Sequence, residues 1–125
     1  MIMLDTSVLI AHYRATVKKD TFLFNLAGKY EFALSAVVKY EVFKGDQNND
    51  PAWGELLSEI EILSFDGDCA EVASNIYLDL KKRRKLVPTD DILIAATAIW
   101  HQLPLATINV KHFSRIKHLE LLTPG

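Results

Sequence analysis

The sequence predicts an α/β fold, a three-layer α/β/α sandwich around a short, mainly parallel sheet. Short apolar segments alternate with longer segments of helical period, and the connections between them are short. The first apolar segment, Ile2–Leu4, carries no polar residue, as expected of a parallel strand buried on both faces. With 125 residues, of which 50% are hydrophobic and 24% charged, the chain is long enough to bury one core. We therefore expect residues 1–125 to form a single domain.

Polar residues separate the predicted elements in the first half of the chain. Asp5, Thr6 and Ser7 follow the first strand and are residue types that cap helices. Ser35 can cap a helix in the same way, and Gly45 is expected to end that helix. The predicted elements are a strand at 2–4, helices at 8–13 and 20–26, a strand at 31–35 and a helix at 36–44.

The second half opens with a turn in which Pro51 is set at the start of a helix. Asp68 leads a later helix whose apolar positions follow the helical period, and Thr89 and Asp90 are candidate caps of the helix after it. Large apolar residues at helical spacing, such as Phe24, are expected mainly in the core, with a partner-facing role as the alternative. The predicted elements are helices at 53–60, from 68 onward and from 89 through 101, and strands at 61–65, 105–107 and 119–122.

Composition excludes several classes of protein. Cys69 is the only cysteine, so an internal disulfide is impossible and a reducing, cytoplasmic compartment is expected. No apolar run is long enough to cross a bilayer, and the first residues lack the pattern of a signal peptide. The net charge is −2, so any contact with nucleic acid must depend on local basic patches.

Two acidic residues occupy positions where a chemical role competes with a structural one. Asp5 comes directly after the first strand, where functional groups collect in parallel sheets, but a helix N-cap would also explain it. Glu41 shares its predicted helix face with Val38 and Val42, not with the lysines of that helix. Burying a carboxylate is costly unless it is paired or bound to a metal, so Glu41 is a candidate site residue or a buried ion pair.

Three further polar residues follow later strands or begin later helices. Asp90 and Asp91 open a strongly apolar helix, where the helix dipole alone would favour acids. Because Asp91 shares its face with small apolar residues, we expect Asp91 to point into a site and Asp90 to act as the cap. Asn109 follows the strand at 105–107, and Thr107 could hydrogen-bond the neighbouring acids, as Thr6 and Ser7 could.

Carboxylates that converge in one pocket repel one another, and a divalent cation removes that penalty. The candidate ligands are all oxygens, which Mg²⁺ and Mn²⁺ prefer. Zinc is not expected, since the four histidines show no ligand spacing with Cys69. Pockets of this kind are suited to phosphodiester hydrolysis, in which the metal activates water and stabilises the departing oxyanion.

With these pieces in order, the sequence resembles the PIN-domain ribonucleases, and among them the VapC toxins of prokaryotic toxin–antitoxin pairs. The resemblance spans essentially the whole chain. A departure from the family is that many relatives carry glycine where Gln102 ends the helix. The matching segments are MLDTS at 3–7, SAVVKYE at 35–41, DILIAA at 91–96 and TINVKHF at 107–113.

The resemblance implies a PIN-like fold and an acidic site for Mg²⁺, with Mn²⁺ as the alternative ion, in an endoribonuclease toxin. It carries the metal ligands over to Asp5, Glu41 and Asp91, and the fourth site position, acidic in many relatives, to Asn109. An amide there lowers the negative charge of the site and argues against a second tightly held metal. The implied partners are an RNA substrate such as tRNA, a VapB-like antitoxin and a second copy of the toxin, with no membrane.

Other functions remain open at the level of the sequence. A PIN-like module that binds nucleic acid or protein without turnover, or a nuclease of RNA processing, would carry the same motifs. An aspartyl-phosphate phosphatase would need an acid where Ser7 stands, and a phosphorelay receiver would leave Glu41 and Asp91 unexplained. The basic run at 81–85 is either a solvated helix end or a contact for RNA phosphates. Four other basic residues could flank the acidic pocket: Lys39, Lys44, Lys111 and Arg115.

Overall fold

A computed structural model describes residues 1–125, and its five strands form one sheet in the order β3-β2-β1-β4-β5. Every ladder in the sheet is parallel. The strands are β1 (Ile2–Leu4), β2 (Phe32–Ser35), β3 (Glu61–Leu63), β4 (Leu105–Ala106) and β5 (Leu121–Leu122). The helices are α1 (Thr6–Arg14), α2 (Phe22–Ala27), α3 (Ala36–Gly45), α4 (Pro51–Ser58), α5 (Gly67–Lys82), α6 (Thr89–Trp100) and α7 (Val110–Phe113).

The helices flank the sheet, and the buried side chains of both element types form one hydrophobic cluster. α5 packs along α6, while α1 packs against α2 and α3. β1 lies in the middle of the sheet, and Ile2, Met3 and Leu4 are all fully buried, which explains its uniformly apolar sequence. The predicted α/β/α fold with a parallel sheet is confirmed. No helix is both long enough and apolar enough to cross a bilayer.

The order of the strands creates a switch point beside β1. The chain runs from β1 to β2 and β3 on one side, then crosses to β4 and β5 on the other. Met3 is level with Ala33 of β2 and with Leu105 of β4. Extending this register by two residues sets Asp5 level with Ser35 and Thr107 at the carboxyl edge of the sheet. Ligands of open α/β sheets bind at such an edge, in the crevice where the strand order reverses.

Several boundaries differ from the sequence-based prediction. The short helix α7 was not predicted, because four residues are too few to show a helical period. α5 is capped by Asp66, whose carboxylate accepts the backbone N–H of Cys69 at 3.0 Å, so the prediction that Asp68 leads the helix is wrong. Trp53 is buried as expected, but Phe24 is 53% exposed. A helix of six residues has room for only a narrow buried face, which Leu23 and Leu26 occupy.

Two helices end in a Schellman motif whose left-handed residue is not glycine. After α6, the N–H of Leu103 bonds to Ala98 O at 2.9 Å, and that of Gln102 bonds to Ile99 O at 3.1 Å. Gln102 itself has a φ of 57°, a conformation that glycine adopts without the steric cost of a Cβ atom. This explains why glycine suits the position of Gln102 in the proteins that the sequence resembles. Arg84, after α5, has the same φ of 57°.

Replacing Gln102 with glycine should therefore stabilise the fold. A left-handed residue with a side chain costs about 1–2 kcal/mol, and the extra flexibility of unfolded glycine offsets part of the gain. We expect Gln102→Gly to raise the free energy of unfolding by ~0.5–1 kcal/mol in urea titrations. Gln102→Ala is the matched control, because it shortens the side chain but keeps the Cβ atom. The steric cost of the left-handed conformation therefore remains. Equal stabilities for the two variants would contradict this explanation.

Candidate metal centre

Asp5 lies at the centre of a hydrogen-bond network that joins the ends of β1 and β4. Its side chain is 4% exposed, and Oδ2 accepts hydrogen bonds from Ser7 Oγ at 2.6 Å and from Thr107 Oγ1 at 2.8 Å. The same hydroxyls accept backbone N–H groups, Ser7 from Ile108 at 3.1 Å and Thr107 from Asn109 at 2.9 Å. Asp5 precedes α1 but makes no side-chain cap bond, so its carboxylate is held by hydroxyls rather than by the helix.

Glu41 reaches the same edge of the sheet from α3. Val38 and Val42 on its helix are buried, so the carboxylate is half-buried beside the core, as the apolar face of the helix predicted. Its Oε1 accepts a hydrogen bond of 2.6 Å from Thr6 Oγ1, at the first residue of α1. No Lys, Arg or His pairs with Glu41, which removes the buried ion pair as an explanation.

Asp90 and Asp91 both border the cluster, which corrects the prediction that Asp90 caps the helix. The N-cap of α6 is Pro88, and no side chain caps this helix. The carboxyl group of Asp90 instead lies near enough to that of Glu41 to raise the pKa of Glu41. The Asp91 carboxylate points toward α7. Neighbouring residues in the first turn of a helix project in different directions. Asp90 and Asp91 therefore meet different polar neighbours.

His112 is a member of the cluster that the sequence analysis missed. Its Nδ1 lies 2.8 Å from Asp91 Oδ2 and 2.9 Å from Asn109 Nδ2. One ring nitrogen cannot donate to a carboxylate and accept from an amide together, and the carboxylate is the stronger partner. Nδ1 therefore carries the proton and donates to Asp91. Asn109 and His112 are three residues apart on one helical turn, a spacing that would have revealed the pair if α7 had been predicted.

The electrostatics of the cluster are those of crowded acids. Burial raises the pKa of Glu41 above its ordinary value, and the nearby carboxylates of Asp90 and Asp5 add to this, against the opposing hydrogen bond from Thr6. Burial likewise raises the pKa of Asp91, opposed by His112 and reinforced by Asp5 and Asp90. Asp5 and Asp90 thus add to the cost of charging Glu41 and Asp91 at one edge of the sheet.

The acidic cluster lies outside the enclosed cavities of the protein. None of its carboxylates lines any of the surface cavities, of which a large one, about 410 Å³, lies beside α5 and is lined by Val72, Ile76 and Asp79 among others. Small molecules are usually held in concave pockets that enclose most of their surface. The half-buried carboxylates of Glu41 and Asp91 are therefore not enclosed in the way that a small-molecule site would enclose them.

Comparison with known proteins identifies the family. The PIN-domain family model matches residues 2–119. The chain belongs to the PIN-domain family. A relative named Ribonuclease VapC1, from Rickettsia felis, is 36% identical over 98% of this PIN domain and 95% of its own length. Another Ribonuclease VapC1, from Methanocaldococcus jannaschii, is 34% identical over 96% of this chain and 84% of the relative. The resemblance to VapC proteins is thereby confirmed.

Solved structures agree with the fold of this PIN domain. The crystal structure of VapBC2 from Rickettsia felis, bound to a DNA fragment from their promoter, matches with a TM-score of 0.81 and 27% identity over 100% of both chains. The structure of VapBC-1 from nontypeable Haemophilus influenzae matches with a TM-score of 0.86 over 98% of both chains. At 23% identity, this second likeness concerns the fold alone.

PIN-domain ribonucleases generally depend on a divalent cation, and the donor set of this PIN domain suits one. The cluster offers carboxylate oxygens, which are the ligands that hard cations prefer, and a cation would offset their mutual repulsion. No three acidic, histidine or cysteine side chains are close enough together to form a ready-made metal site. Hydroxyl groups hold Asp5 and Glu41, and His112 holds Asp91, so the carboxylates are separated by donors that compensate their charge.

The raised pKa of Glu41 makes the stability of the metal-free protein depend on pH. The folded state binds more protons than the unfolded state between the two pKa values, so this contribution is most favourable below the unfolded pKa. It declines as pH rises through the folded pKa. In EDTA, we expect the melting temperature of wild type to fall from about pH 4 toward neutrality relative to that of Glu41→Gln.

The matched control is Glu55→Gln, which makes the same exchange at an exposed position on α4. Its melting curve should keep the pH dependence of wild type. If Glu41→Gln and Glu55→Gln respond to pH identically, the acids of the cluster do not repel one another as described.

Proposed function

We propose that this PIN domain is a metal-dependent endoribonuclease that acts as the toxin of a toxin–antitoxin pair, with residues 1–125 forming one functional unit. The observation that carries the proposal is that Asp5, Glu41 and Asp91 lie at the switch point of the sheet, near enough for Asp5 to raise the pKa of the other two, with no basic residue neutralising Asp5 or Glu41. The curated relatives are named Ribonuclease VapC, which supports the same reaction for this chain.

Asp5, Glu41 and Asp91 are the residues proposed to hold the cation. Mg²⁺ is the expected ion and Mn²⁺ the alternative, because carboxylate oxygens suit both. The chemistry that such a cation supplies is activation of water and stabilisation of the departing oxyanion of a phosphodiester. Asp5 is placed at the centre of the ligand set because only Oδ2 takes part in the hydroxyl network, which leaves Oδ1 for a ligand.

The surrounding polar residues position these carboxylates. Ser7 and Thr107 fix the rotamer of Asp5, and Thr6 fixes Glu41. His112 fixes Asp91 through Nδ1, in the way that outer hydrogen bonds orient metal-ligating groups.

Asn109 and Asp90 adjust the charge of the centre. Asn109 contributes no charge, so phosphates approach fewer negative groups on the α7 side than on the side of Asp90 and Glu41. Asp90 is proposed as a supporting acid beside Glu41.

The proposed substrate is a polymer such as tRNA or another structured RNA. The acidic cluster is not part of an enclosed cavity of the kind that holds small molecules, and sequence-specific RNA recognition commonly targets exposed single strands and loops. We place this activity in the cytoplasm, where a reducing environment suits the buried free thiol of Cys69.

The proposed protein partners are a VapB-like antitoxin and a second copy of the chain. Solved relatives of the same fold are VapBC complexes, and a structure of FitAB bound to DNA matches with a TM-score of 0.81 and 25% identity. In this chain, Phe24 and Tyr13 are exposed on neighbouring helices and provide apolar area for an antitoxin. Inhibition of RNA cleavage by a small protein encoded beside this one would test the assignment.

The proposed reaction is tested by incubating total cellular RNA with the pure protein and mapping the cleaved ends by sequencing. We expect cleavage in Mg²⁺ or Mn²⁺, reversible loss in EDTA, and a rate at least about a hundredfold lower for Asp91→Asn, because an amide keeps the shape but weakens the hold on the cation. RNA bound without cleavage under every condition would favour the binding module over the nuclease.

Asp68→Asn is the control for this experiment. Asp68 lies in the first turn of α5 as Asp91 lies in the first turn of α6, so both exchanges weaken an interaction with a helix dipole. Only Asp91 belongs to the acidic cluster. Normal cleavage by Asp91→Asn, or undiminished cleavage in EDTA, would rule out the metal centre as assigned.

A further inference from the structure

The basic run at 81–85, at the end of α5, contains side chains that form contacts within the fold and side chains that form none. Arg83 forms a forked ion pair with Asp79, one turn earlier on the same helix, through Nε and Nη2. Lys82, Arg84 and Lys85 are exposed, and their side chains make no hydrogen bond or ion pair. We call these three residues the basic ridge. Its charges are available to a partner rather than used within the fold.

Specific contacts link the segment of the basic ridge to the segment that carries His112. Arg83 Nη2 also donates to Arg115 O at 2.6 Å, and Arg115 Nη1 donates to Leu86 O at 3.1 Å. Arg115 in turn follows α7, where its N–H bonds to His112 O at 3.2 Å. The ridge is therefore linked through two arginines to the helix that carries His112. Lys85 also precedes Asp90 by only five residues, so the chain between them spans at most ~18 Å.

Arg84 keeps its charge at a position that is sterically better suited to glycine. It is the left-handed residue of the Schellman motif that ends α5, with N–H bonds from Arg84 to Lys81 O at 3.1 Å and from Lys85 to Leu80 O at 2.9 Å. Backbone strain of this kind is frequent at functional positions. The motif turns the chain sharply after α5 and fixes the direction in which Arg84 and Lys85 leave the helix.

RNA needs a basic surface near the acidic cluster in order to bind there. Four carboxylates repel a polyanion, and the chain as a whole carries a net charge of −2, so long-range attraction cannot bring RNA to the site. Salt limits the reach of surface charges to about 8 Å, and basic groups must therefore lie close to the path of the strand. We propose that the basic ridge binds the phosphates of the RNA strand on the α5 side of the acidic cluster. This inference rests on the proposed ribonuclease function.

The experiment measures binding of a fluorescently labelled single-stranded RNA by anisotropy, in an Asp91→Asn background that prevents cleavage. We expect Lys82→Gln with Lys85→Gln to weaken binding about tenfold at moderate salt. The slope of log Kd against log salt should become shallower by about 1.4, since each lost phosphate contact on a single strand accounts for about 0.7. The control is Lys19→Gln with Lys29→Gln, which removes two exposed lysines near α2 and should change neither quantity.

Arg84→Gly and Gln102→Gly form a second matched pair. Both remove a side chain from a φ of 57° at the end of a helix, so both should raise the melting temperature. Only Arg84→Gly should weaken RNA binding, because Gln102 is uncharged and lies at the far end of α6 from Asp90 and Asp91. A variant that folds more stably yet binds RNA less tightly excludes misfolding as the cause of the loss.

The outcomes separate this inference from the proposed function. If wild type cleaves RNA but the ridge variants bind RNA as tightly as the controls do, the basic ridge is overturned while the nuclease stands. If wild type cleaves nothing and the ridge variants still lose RNA affinity with a shallower salt slope, the ridge stands and the nuclease fails. Loss of affinity for the antitoxin alone, with RNA binding intact, would also overturn the inference.

Discussion

Repulsion among carboxylates at the carboxyl edge of the sheet is the constraint around which the rest of this site is organised. Asp5, Glu41, Asp90 and Asp91 come from three different parts of the chain, and the neighbouring carboxylates help to raise the pKa values of Glu41 and Asp91. The fold pairs three of these carboxylates, those of Asp5, Glu41 and Asp91, with hydrogen-bond donors. Hydroxyl groups hold Asp5 and Glu41, and the imidazole of His112 holds Asp91. The compensation is enough for folding but leaves the negative charge of the carboxylates in place for a cation.

The parallel sheet brings together the strand ends that hold Asp5. Because β1 pairs with β2 on one side and β4 on the other, the residues that follow these strands lie at one level of the edge. Thr107 Oγ1 and Ser7 Oγ then connect the ends of β1 and β4, with each hydroxyl donating to Asp5 and accepting a backbone N–H. The same bonds that join the two strand ends also set the rotamer of the Asp5 carboxylate. The network therefore serves both the fold and the proposed metal site.

The sequence predicted the parts of the fold and site that depend on local pattern. Apolar runs and cap residues indicated the strands and most helices, and the apolar face around Glu41 marked it as out of place. The placement of Asp90 beside Glu41 could not be read from helix periodicity, since it depends on how α6 packs against α3. His112 was missed because α7 is too short to be recognised by period, although its three-residue spacing from Asn109 fits one helical turn.

We expect a divalent cation to relieve the repulsion at this edge of the sheet. The most direct test is to measure the melting temperature of the protein as a function of the concentration of Mg²⁺ or Mn²⁺. A ligand that binds only the folded state stabilises it in proportion to RT ln(1 + [L]/Kd), so the melting temperature of wild type should rise steadily once the cation exceeds its Kd. In Glu41→Gln, which starts with less repulsion and one fewer anionic ligand, the rise should be markedly smaller than in Glu55→Gln. A melting temperature that does not change with the concentration of the cation, or that rises equally in both variants, would contradict cation binding by these carboxylates.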